Sequence, residues 1–447
     1  MYDSGSQQPK KSARLPLPYL LVLALLGTWL FSACQGSGAA PVGDESVTST
    51  DEPVTMESAA ILTGANDTVD PGEDRQLVIW APDFFSRDRE ASSDRVMDAA
   101  FAQFEQKHPS TRIEVQPKAL AGETSVFAYL RSAQRVAPDI LPDIVLLTAS
   151  ELWQAAELGL ISTLSSDDVA GMAEFYPFAI QAVAYNGEIW GVPYVSDLLH
   201  AVDQHAATDA TPLTWVDLLA SDSTYLFPAG SRDGYANDSV LLQYVGAGGQ
   251  LLEDGTVSNP DAMEAVFEFY LSGIQQGNIP AEIEQYASLN SVWQAFGDGR
   301  ADMADTSSTL LLSQGDPVAE MAYTPAPTLT GEPVTLANTW AFAILTTDPE
   351  QRALAIDLLA TVLDPAVHGE WSQFVHRLPT QRAALEEWTS GSDYYAYLRD
   401  RMVPVAISAP NGRLYEEFTV RLQDALRGVL NGSLTPAEAV LEVRAGP

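Results

Sequence analysis

The spacing of hydrophobic positions over residues 76–158 alternates between short continuous runs and a helical period. Residues 76–80 form an apolar run of the length expected for a buried strand. Between 94 and 108 the apolar residues recur at helical spacing, which predicts a helix that Pro109 ends. The same two patterns then predict a strand at 112–116, a helix at 125–135, a strand at 141–147 and a helix at 151–158. This alternation predicts an α/β fold, with a mostly parallel sheet flanked by helices.

Residues 186–197 combine a strong turn signal with an irregular strand. Asn186 and Gly187 both tolerate positive φ, which is typical of a type I′ hairpin turn, and apolar residues flank them on both sides. Gly191 bends the returning strand, and Pro193 has no N–H to donate to a ladder. We interpret this strand as a hinge at which the chain leaves one lobe and enters another.

Helical spacing returns in the second half of the chain. Asn259 is an N-cap candidate, Pro260 occupies the first helical position, and apolar residues then line one face as far as about position 276. The remaining predicted helices cover 348–363, 414–430 and 435–444.

The length and charge of the chain limit its architecture and partners. With 447 residues it is too long for one ordinary hydrophobic core, so two lobes are expected. Its formal net charge is −37, from 60 acidic and 23 basic residues. Nucleic acids and anionic membrane surfaces are themselves polyanions, so we expect neither as a partner.

The first 34 residues are typical of an export signal. Lys10, Lys11 and Arg14 form a basic start, and an apolar run follows at 19–31. The run is shorter than the roughly 20 residues that span a bilayer, so a cleaved signal peptide is expected rather than an anchor helix. Residues 35–75 are small and polar, with few large apolar side chains, which predicts a flexible tether.

Cys34 is the single cysteine of the chain, so no disulfide can form within it. The residues around it resemble a bacterial lipoprotein signal, in which the cysteine becomes the lipidated first residue, although Phe31 stands where such signals usually carry leucine. A buried free cysteine is the alternative. The resemblance implies an exported, cell-surface or periplasmic protein that is held at the membrane through its lipid alone.

The sequence contains no catalytic or cofactor-binding signature. It lacks the His-Glu-x-x-His zinc helix, the P-loop, the Gly-x-Ser-x-Gly elbow and the dinucleotide glycine pattern. His200 and His205 are five positions apart, not the four that would place both on one helical face. We therefore expect a protein that is not an enzyme and that holds neither a metal nor a cofactor.

Several segments, taken in order, resemble one protein family. Examples are Leu141-Pro-Asp-Ile-Val145, the hairpin at 186–193 and Arg377-Leu-Pro-Thr380. Their order and spacing are similar to those of extracellular solute-binding proteins that serve ABC importers of sugars, the type to which maltose-binding protein belongs. The full set of matching segments is 101–109, 141–145, 158–161, 186–193, 212–218, 248–276, 292–303, 337–345, 377–380 and the last two predicted helices, 414–430 and 435–444.

The resemblance implies a two-lobed fold of the periplasmic-binding-protein type II. Each lobe would be a mostly parallel sheet flanked by helices, and three segments near Val195, Phe296 and Thr346 would cross between the lobes. The ligand would bind between the lobes and close them by a hinge motion. The expected division is a first lobe of 76–196 with 297–346 and a second lobe of 197–296 with 347–447.

Two segments depart from the family pattern. Thr306-Ser-Ser-Thr309 stands where the family usually has a Gly-x-Trp element, so no stacking aromatic is carried over to that position. Ala337-Asn338 replaces a pair of glycines at the start of a strand. We therefore expect the side chain of Asn338 to enter the cleft.

A sugar site needs aromatic rings for the apolar CH faces of the ligand and polar groups for its hydroxyls. The candidates lie at strand ends, in the loops that follow, or at the predicted crossings, where ligands bind on α/β sheets. Ordinary packing or solvation is the alternative for each. The candidate ligand-binding residues are Trp80, Asp83, Ser150, Asp197, Tyr235, Ser307, Asn338, Trp340 and Arg413.

The sequence thus predicts a monomeric substrate-binding component of an ABC importer, which captures a mono- or oligosaccharide and delivers it to a membrane permease. Three alternatives stay open. The same fold could hold a polyamine, a peptide or a polyol phosphate; a cationic ligand would need several carboxylates in the cleft, and phosphate would need clustered arginines. The protein could also be a ligand sensor, or a secreted polysaccharide hydrolase with two carboxylates at a fixed separation.

Overall fold

The computed structural model describes residues 75–85, 92–165, 168, 171–204, 213–231, 233–314, 321–388 and 392–446, which belong to one compact unit, Thr68–Pro447. Cys34, the predicted signal peptide and the predicted tether up to residue 74 lie outside the described residues. None of the helices in the described part of the chain is both long and apolar enough to cross a bilayer.

In chain order the strands are β1 (Arg75–Pro82), β2 (Thr111–Lys118), β3 (Ile144–Thr148), β4 (Ala184–Tyr185), β5 (Glu188–Ile189), β6 (Val192–Asp203), β7 (Tyr225–Leu226), β8 (Met303–Ser307), β9 (Ala322–Thr324), β10 (Thr335–Ile344), β11 (Leu378–Pro379) and β12 (Ala406–Ile407). The two longest strands, β6 with 12 residues and β10 with 10, pair with each other.

The helices follow the periodic segments of the sequence, and several begin at a Ser, Thr, Asp or Asn cap. In chain order they are α1 (Ser92–Lys107), α2 (Val126–Val136), α3 (Ala149–Glu157), α4 (Pro177–Val183), α5 (Trp215–Ala220), α6 (Asp238–Gly246), α7 (Pro260–Gln276), α8 (Leu289–Gly297), α9 (Ser308–Leu312), α10 (Pro349–Val362), α11 (Pro365–Phe374), α12 (Arg382–Glu386), α13 (Asp393–Tyr397), α14 (Arg413–Leu430) and α15 (Pro436–Arg444).

One mixed sheet runs through the molecule in the order β2-β1-β3-β10-β6-β8-β7. Strands β9 and β11 also pair with β6, and β12 pairs with β10. β1 is parallel to both β2 and β3, which matches the predicted strand-helix alternation. β10 and β6 run antiparallel to their neighbours in the sheet, apart from the short parallel pair of β10 with β12.

Helices cover the sheet so as to form two separate lobes. In the first lobe, α1, α10 and α11 cover one face, and α2 and α3 cover the other. The second lobe has one large core, built around β8 and helices α6, α7 and α14. The first half of β6 lies in the first-lobe core, whereas Leu198, Leu199, Ala201 and Val202 belong to the second.

The segments that cross between the cores differ in part from those expected. The crossing near Val195 is present, within β6. Phe296 and the described core residues between Met303 and Ala337 pack in the second lobe, so the next change of core falls inside β10, before Trp340. The last change falls after Trp371, at β11.

Two segments accordingly pack on the lobe opposite to the one expected. The core residues of 297–314 and 321–337 lie with the second lobe, and α10 and α11 pack against α1 in the first. The reason is physical: an apolar helix face shows that a helix covers a sheet, but it does not show which of two sheets it covers.

The predicted hairpin at Asn186 and Gly187 is confirmed. Both residues have positive φ, at 53° and 79°, and they connect the antiparallel pair β4 and β5. Pro193 lies opposite Ala341, next to a shift of register between Trp340 and Ala341. A proline, which has no N–H to donate, is therefore placed where the ladder between β6 and β10 is already interrupted.

Candidate ligand-binding cleft

A cavity of about 300 Å³, the interlobe cavity, lies where the two lobes meet. The first turns of α3 form its wall on the first lobe. The segment that leads into α6, the 408–412 segment and the start of α14 form its wall on the second lobe, and β10 supplies Ala337 and Asn338. The cavity therefore contains side chains from both lobes and from a strand that connects them.

The first-lobe wall is fixed by the start of α3. Thr148 is the N-cap: its hydroxyl accepts a hydrogen bond from the backbone N–H of Glu151, and the Glu151 carboxylate accepts one from the Thr148 N–H. Burial raises the pKa of Glu151. Ser150 is thus the second residue of the helix, not its cap as expected, and it lines the cavity with Trp153 and Gln154.

Three aromatic rings line the cavity from separate elements. Trp153 is 8 % exposed and packs against Tyr185 with the ring centres 5.9 Å apart. Tyr235 is 42 % exposed, whereas Tyr415, near the start of α14, is only 7 % exposed. The hydroxyl of Tyr415 is buried and has no hydrogen-bond partner among the described residues.

Asn338 and Asp238 connect the central strand to the second-lobe wall. The Asn338 amide donates a hydrogen bond of 2.7 Å to the carboxylate of Asp238, the first residue of α6. Burial raises the pKa of Asp238, and the nearby Asp197 carboxylate raises it further. The side chain of Asn338 therefore enters the cavity, where it presents an amide beside a carboxylate.

Glu416 lies opposite α3 on the other wall. Its carboxylate accepts a long hydrogen bond of 3.4 Å from the side chain of Gln154, so this contact joins the two lobes across the cavity. Burial raises the pKa of Glu416, and the Glu416 charge in turn raises the pKa of Tyr235.

Asp197 lies behind the cavity, opposite Asn338 in the register of β6 and β10. Its carboxylate accepts hydrogen bonds from the backbone N–H of Thr309 at 2.7 Å and from the hydroxyl of Ser308 at 2.9 Å. The Thr-Ser-Ser-Thr segment that departs from the family pattern thus holds α9 against the central strand. Ser307 is the N-cap of α9 and accepts from the Leu310 N–H.

The remaining candidates lie outside the interlobe cavity. Trp340 is buried against Phe84, with ring centres 5.4 Å apart, and the Arg377 guanidinium stacks on the same Phe84 ring. Burial lowers the pKa of Arg377, whereas the nearby Asp197 and Asp83 raise it.

Trp80 and Asp83 line a different cavity, of about 760 Å³, on the first lobe beside β2 and α2. There the ammonium of Lys118 lies 4.8 Å from the centre of the Trp80 ring and 5.4 Å from that of Tyr129. Arg413 pairs with Glu417 one turn later on α14, at 2.5 Å, and lines a third cavity, of about 350 Å³, with Tyr235 and Glu416. The structure thus brings Ser150, Tyr235 and Asn338 together, with Asp197 behind them.

The sequence reasoning missed several of the lining residues. Trp153 and Tyr415 both lie inside predicted helices, 151–158 and 414–430, where an aromatic residue usually belongs to the core. Asp238 and Glu416 are also helical, and a charged residue near the start of a helix is usually explained by the helix dipole. The unpaired Tyr415 hydroxyl is the clearest signal of a site, and it is visible only in three dimensions.

Two fully buried histidines form hydrogen bonds with neighbouring side chains in the protein interior. His200 contacts the Tyr394 hydroxyl at 2.7 Å, and His368 contacts the Gln381 side chain at 3.1 Å. Burial lowers the pKa of each imidazole to about 4. Within the described residues, no group of three or more His, Cys, Asp and Glu side chains could hold a metal ion.

The fold is shared with solved sugar-binding proteins. Maltose-bound MalE3 of T. maritima superimposes with a TM-score of 0.62 and 19% identity, over 83% of this chain and 98% of that one. The sugar-binding protein MalE of the phytopathogen Xanthomonas citri gives 0.65 and 18%, over 83% and 95%. The GacH receptor of Streptomyces glaucescens GLA.O, solved unliganded and with acarbose, gives 0.63 and 16%, over 83% and 97%.

Sequence comparison identifies the family. No curated protein sequence matches the chain significantly. The profile of the family described as "Bacterial extracellular solute-binding protein" matches residues 99–394, which is more than half of the 447 residues. The chain therefore belongs to the bacterial extracellular solute-binding proteins, and its fold is the two-lobed α/β fold of the maltose-binding-protein type.

Proposed function

We propose that this protein is the substrate-binding component of an ABC importer and captures a carbohydrate between its two lobes. The observation that carries the proposal is the lining of the interlobe cavity, where three aromatic rings face hydroxyl, amide and carboxylate groups. Sugar rings have apolar CH faces that pack on aromatic side chains and hydroxyls that bond to such polar groups. The rings are Trp153, Tyr235 and Tyr415, and the polar groups belong to Ser150, Asn338 and Asp238.

The dimensions of the cavity favour a small saccharide. Its volume of about 300 Å³ lies at the lower end of the range for ligand pockets, which is roughly 300 to 1,000 Å³. A mono- or disaccharide fits this size better than a long oligosaccharide. The solved proteins of the same fold support the class, because they include a maltose-bound protein and a sugar-binding protein.

Binding would change the angle between the lobes. The cavity walls on α3 and α14 belong to different lobes, and the chain changes core three times, in β6, in β10 and at β11. A ligand that contacts both walls favours the closed arrangement, because only that arrangement allows all of its contacts. Asp197 and Asn338 lie at the pivot, so a contact to Asn338 couples binding to closure.

Export and delivery complete the proposal. Membership of an extracellular family implies that the protein is exported. A lipid on Cys34, followed by the 35–75 tether, would hold the two-lobed body near the membrane, where a permease receives the solute. The protein would act as a monomer and as a carrier without catalytic activity.

The proposal is tested by isothermal titration of the purified protein against a panel of mono- and disaccharides. We expect saturable binding of at least one sugar, accompanied by a decrease in the radius of gyration in small-angle scattering. Failure of every sugar to bind would overturn the carbohydrate assignment. Binding without compaction would overturn the closure step alone.

A further inference from the structure

The charged side chains that line the interlobe cavity all have the same sign. They are the carboxylates of Asp238 and Glu416, and no Lys, Arg or His lines the cavity among the described residues. Arg413 shares a different cavity with Tyr235 and Glu416, where its guanidinium pairs with Glu417, and Arg377 stacks on Phe84.

Asp238 accepts its hydrogen bond from a neutral group. Its donor is the amide of Asn338, at 2.7 Å, and the carboxylate of Asp197, which has the same sign, acts on it as well. Glu416 receives a long contact from the neutral amide of Gln154. Among the described residues, the hydrogen bonds that these two carboxylates accept thus come from neutral amides, and a cation in the cavity would compensate their charges more fully.

A second, independent feature points to a ligand at the same place. The Tyr415 hydroxyl is buried without a hydrogen-bond partner, although its residue lines the cavity and precedes Glu416 on α14. A buried hydroxyl without a partner costs about 1 to 3 kcal/mol, and a donor from the ligand removes that cost. An ammonium group has three N–H donors, enough for Tyr415, Asp238 and Glu416 together.

We propose that the solute is an amino sugar, whose protonated amine binds between Asp238, Glu416 and the Tyr415 hydroxyl while its ring packs on the aromatic wall. This inference rests on the proposed function and specifies its ligand. Tyr235 lines the same cavity and is 42 % exposed, so its ring is available for a cation–π contact with the amine.

A neutral sugar and a polyamine each match only part of the cavity. Neutral hydroxyls can donate to both carboxylates but leave both negative charges uncompensated when closure removes water. A polyamine neutralises the charges but has no ring face for Trp153 and Tyr235. An amino sugar supplies both features.

The test is isothermal titration with glucosamine and its β-1,4 dimer, beside glucose, N-acetylglucosamine and spermidine. We expect an amino sugar to bind at least about tenfold tighter than its neutral counterpart. Equal or weaker binding of the amine would overturn this inference and leave the carbohydrate assignment intact. Binding of spermidine with no binding of any sugar would overturn both.

Variants place the amine in the cavity. Asp238→Asn and Glu416→Gln keep the shape of each side chain but remove its charge. Each is expected to bring the affinity for the amino sugar closer to the affinity for its neutral counterpart. Asp424→Asn is the matched control, because Asp424 lies on the same helix, pairs with Arg427 and does not line the interlobe cavity. Tyr415→Phe, which removes only the hydroxyl, is expected to weaken amine binding several-fold. A preference unchanged in all three cavity variants would overturn the inference.

Discussion

The backbone N–H of Thr309 donates a hydrogen bond of 2.7 Å to the carboxylate of Asp197. The Ser308 hydroxyl donates to the same oxygen and accepts from the N–H of Leu198. These three bonds fix the first turn of α9 to β6 at the point where β6 passes from one core into the other. They give Asp197 a structural role in addition to any contact with the ligand.

Asp197→Ala is expected to destabilise the protein by about 2 to 3 kcal/mol, because it leaves a buried hydroxyl and a helix N–H without their acceptor. The free energy of unfolding in urea is the measurement. Asp254→Ala is the control. Asp254 also accepts from one backbone N–H and one hydroxyl, both of Thr256, but it does so on an exposed turn. A loss below about 1 kcal/mol is expected for the control, and equal losses in both variants would contradict the assignment.

Asp305 predicts a specific pH dependence of stability. Its carboxyl is fully buried, where it accepts from Tyr225 and Ser239, and burial raises its pKa to about 7. The folded protein therefore holds this proton more tightly than the unfolded chain does. The resulting contribution to stability is complete below about pH 4 and is lost as the pH rises to about 7.

Asp305→Asn removes this titration. Between pH 4 and pH 8 the wild type is expected to lose about 3 to 5 kcal/mol of unfolding free energy relative to the variant. The wild-type pH curve alone is less informative, because the buried imidazoles of His200 and His368 resist protonation. They make the folded protein less stable as the pH falls below about 6.5. A difference that stays constant with pH would show that Asp305 titrates normally.

The space around Gly191, just before β6, is too small for a side chain. An added Cβ would lie 2.8 Å from the carbonyl oxygen of Phe342 and 3.2 Å from a methyl group of Leu152. Gly191→Ala is expected to cost about 2 to 3 kcal/mol, measured by urea unfolding. Gly187→Ala provides the comparison: its φ is +79° but nothing lies within 4 Å, so about 1 kcal/mol is expected.

Two tyrosines of nearly equal exposure distinguish the interlobe cavity from the cavity beside Trp80. Tyr235 is 42 % exposed and lines the interlobe cavity, and Tyr129 is 43 % exposed and lines the cavity beside Trp80. Tyr235→Ala is expected to weaken saccharide binding at least about tenfold, with little effect on melting temperature. Tyr129→Ala is expected to leave affinity unchanged. The opposite result would place the sugar site on the first lobe.

Much of the local structure follows from short-range rules. Asn186 and Gly187 form the expected hairpin because the turn type is decided by two residues that tolerate positive φ. Ser150 lies at the start of α3, Tyr235 in the loop before α6 and Asn338 where β10 joins the lobes, so all three line the cavity at the junction. These features depend on nearest neighbours and on a general rule for α/β sheets.

Long-range packing could not be predicted in the same way. α10 covers the first lobe because the chain crosses back within β10, and nothing in the local pattern of α10 states this. Arg413 likewise satisfies the composition of a sugar site, but its position on α14 turns it toward Glu417. Asp238 and Tyr415 become partners of one cavity only through the packing of α6 beside α14, which are far apart in sequence.

The pairing of β6 with β10 determines how the molecule can flex. The lobes are linked by a hydrogen-bonded ribbon of two long strands rather than by loose connections, and a ribbon resists sliding and swivelling while it yields to bending. The ladder is interrupted between Trp340 and Ala341, opposite Pro193, so the least stiffness lies there. Motion between the lobes is thus restricted to bending of this strand pair. The two walls of the interlobe cavity therefore approach a bound solute in only one orientation.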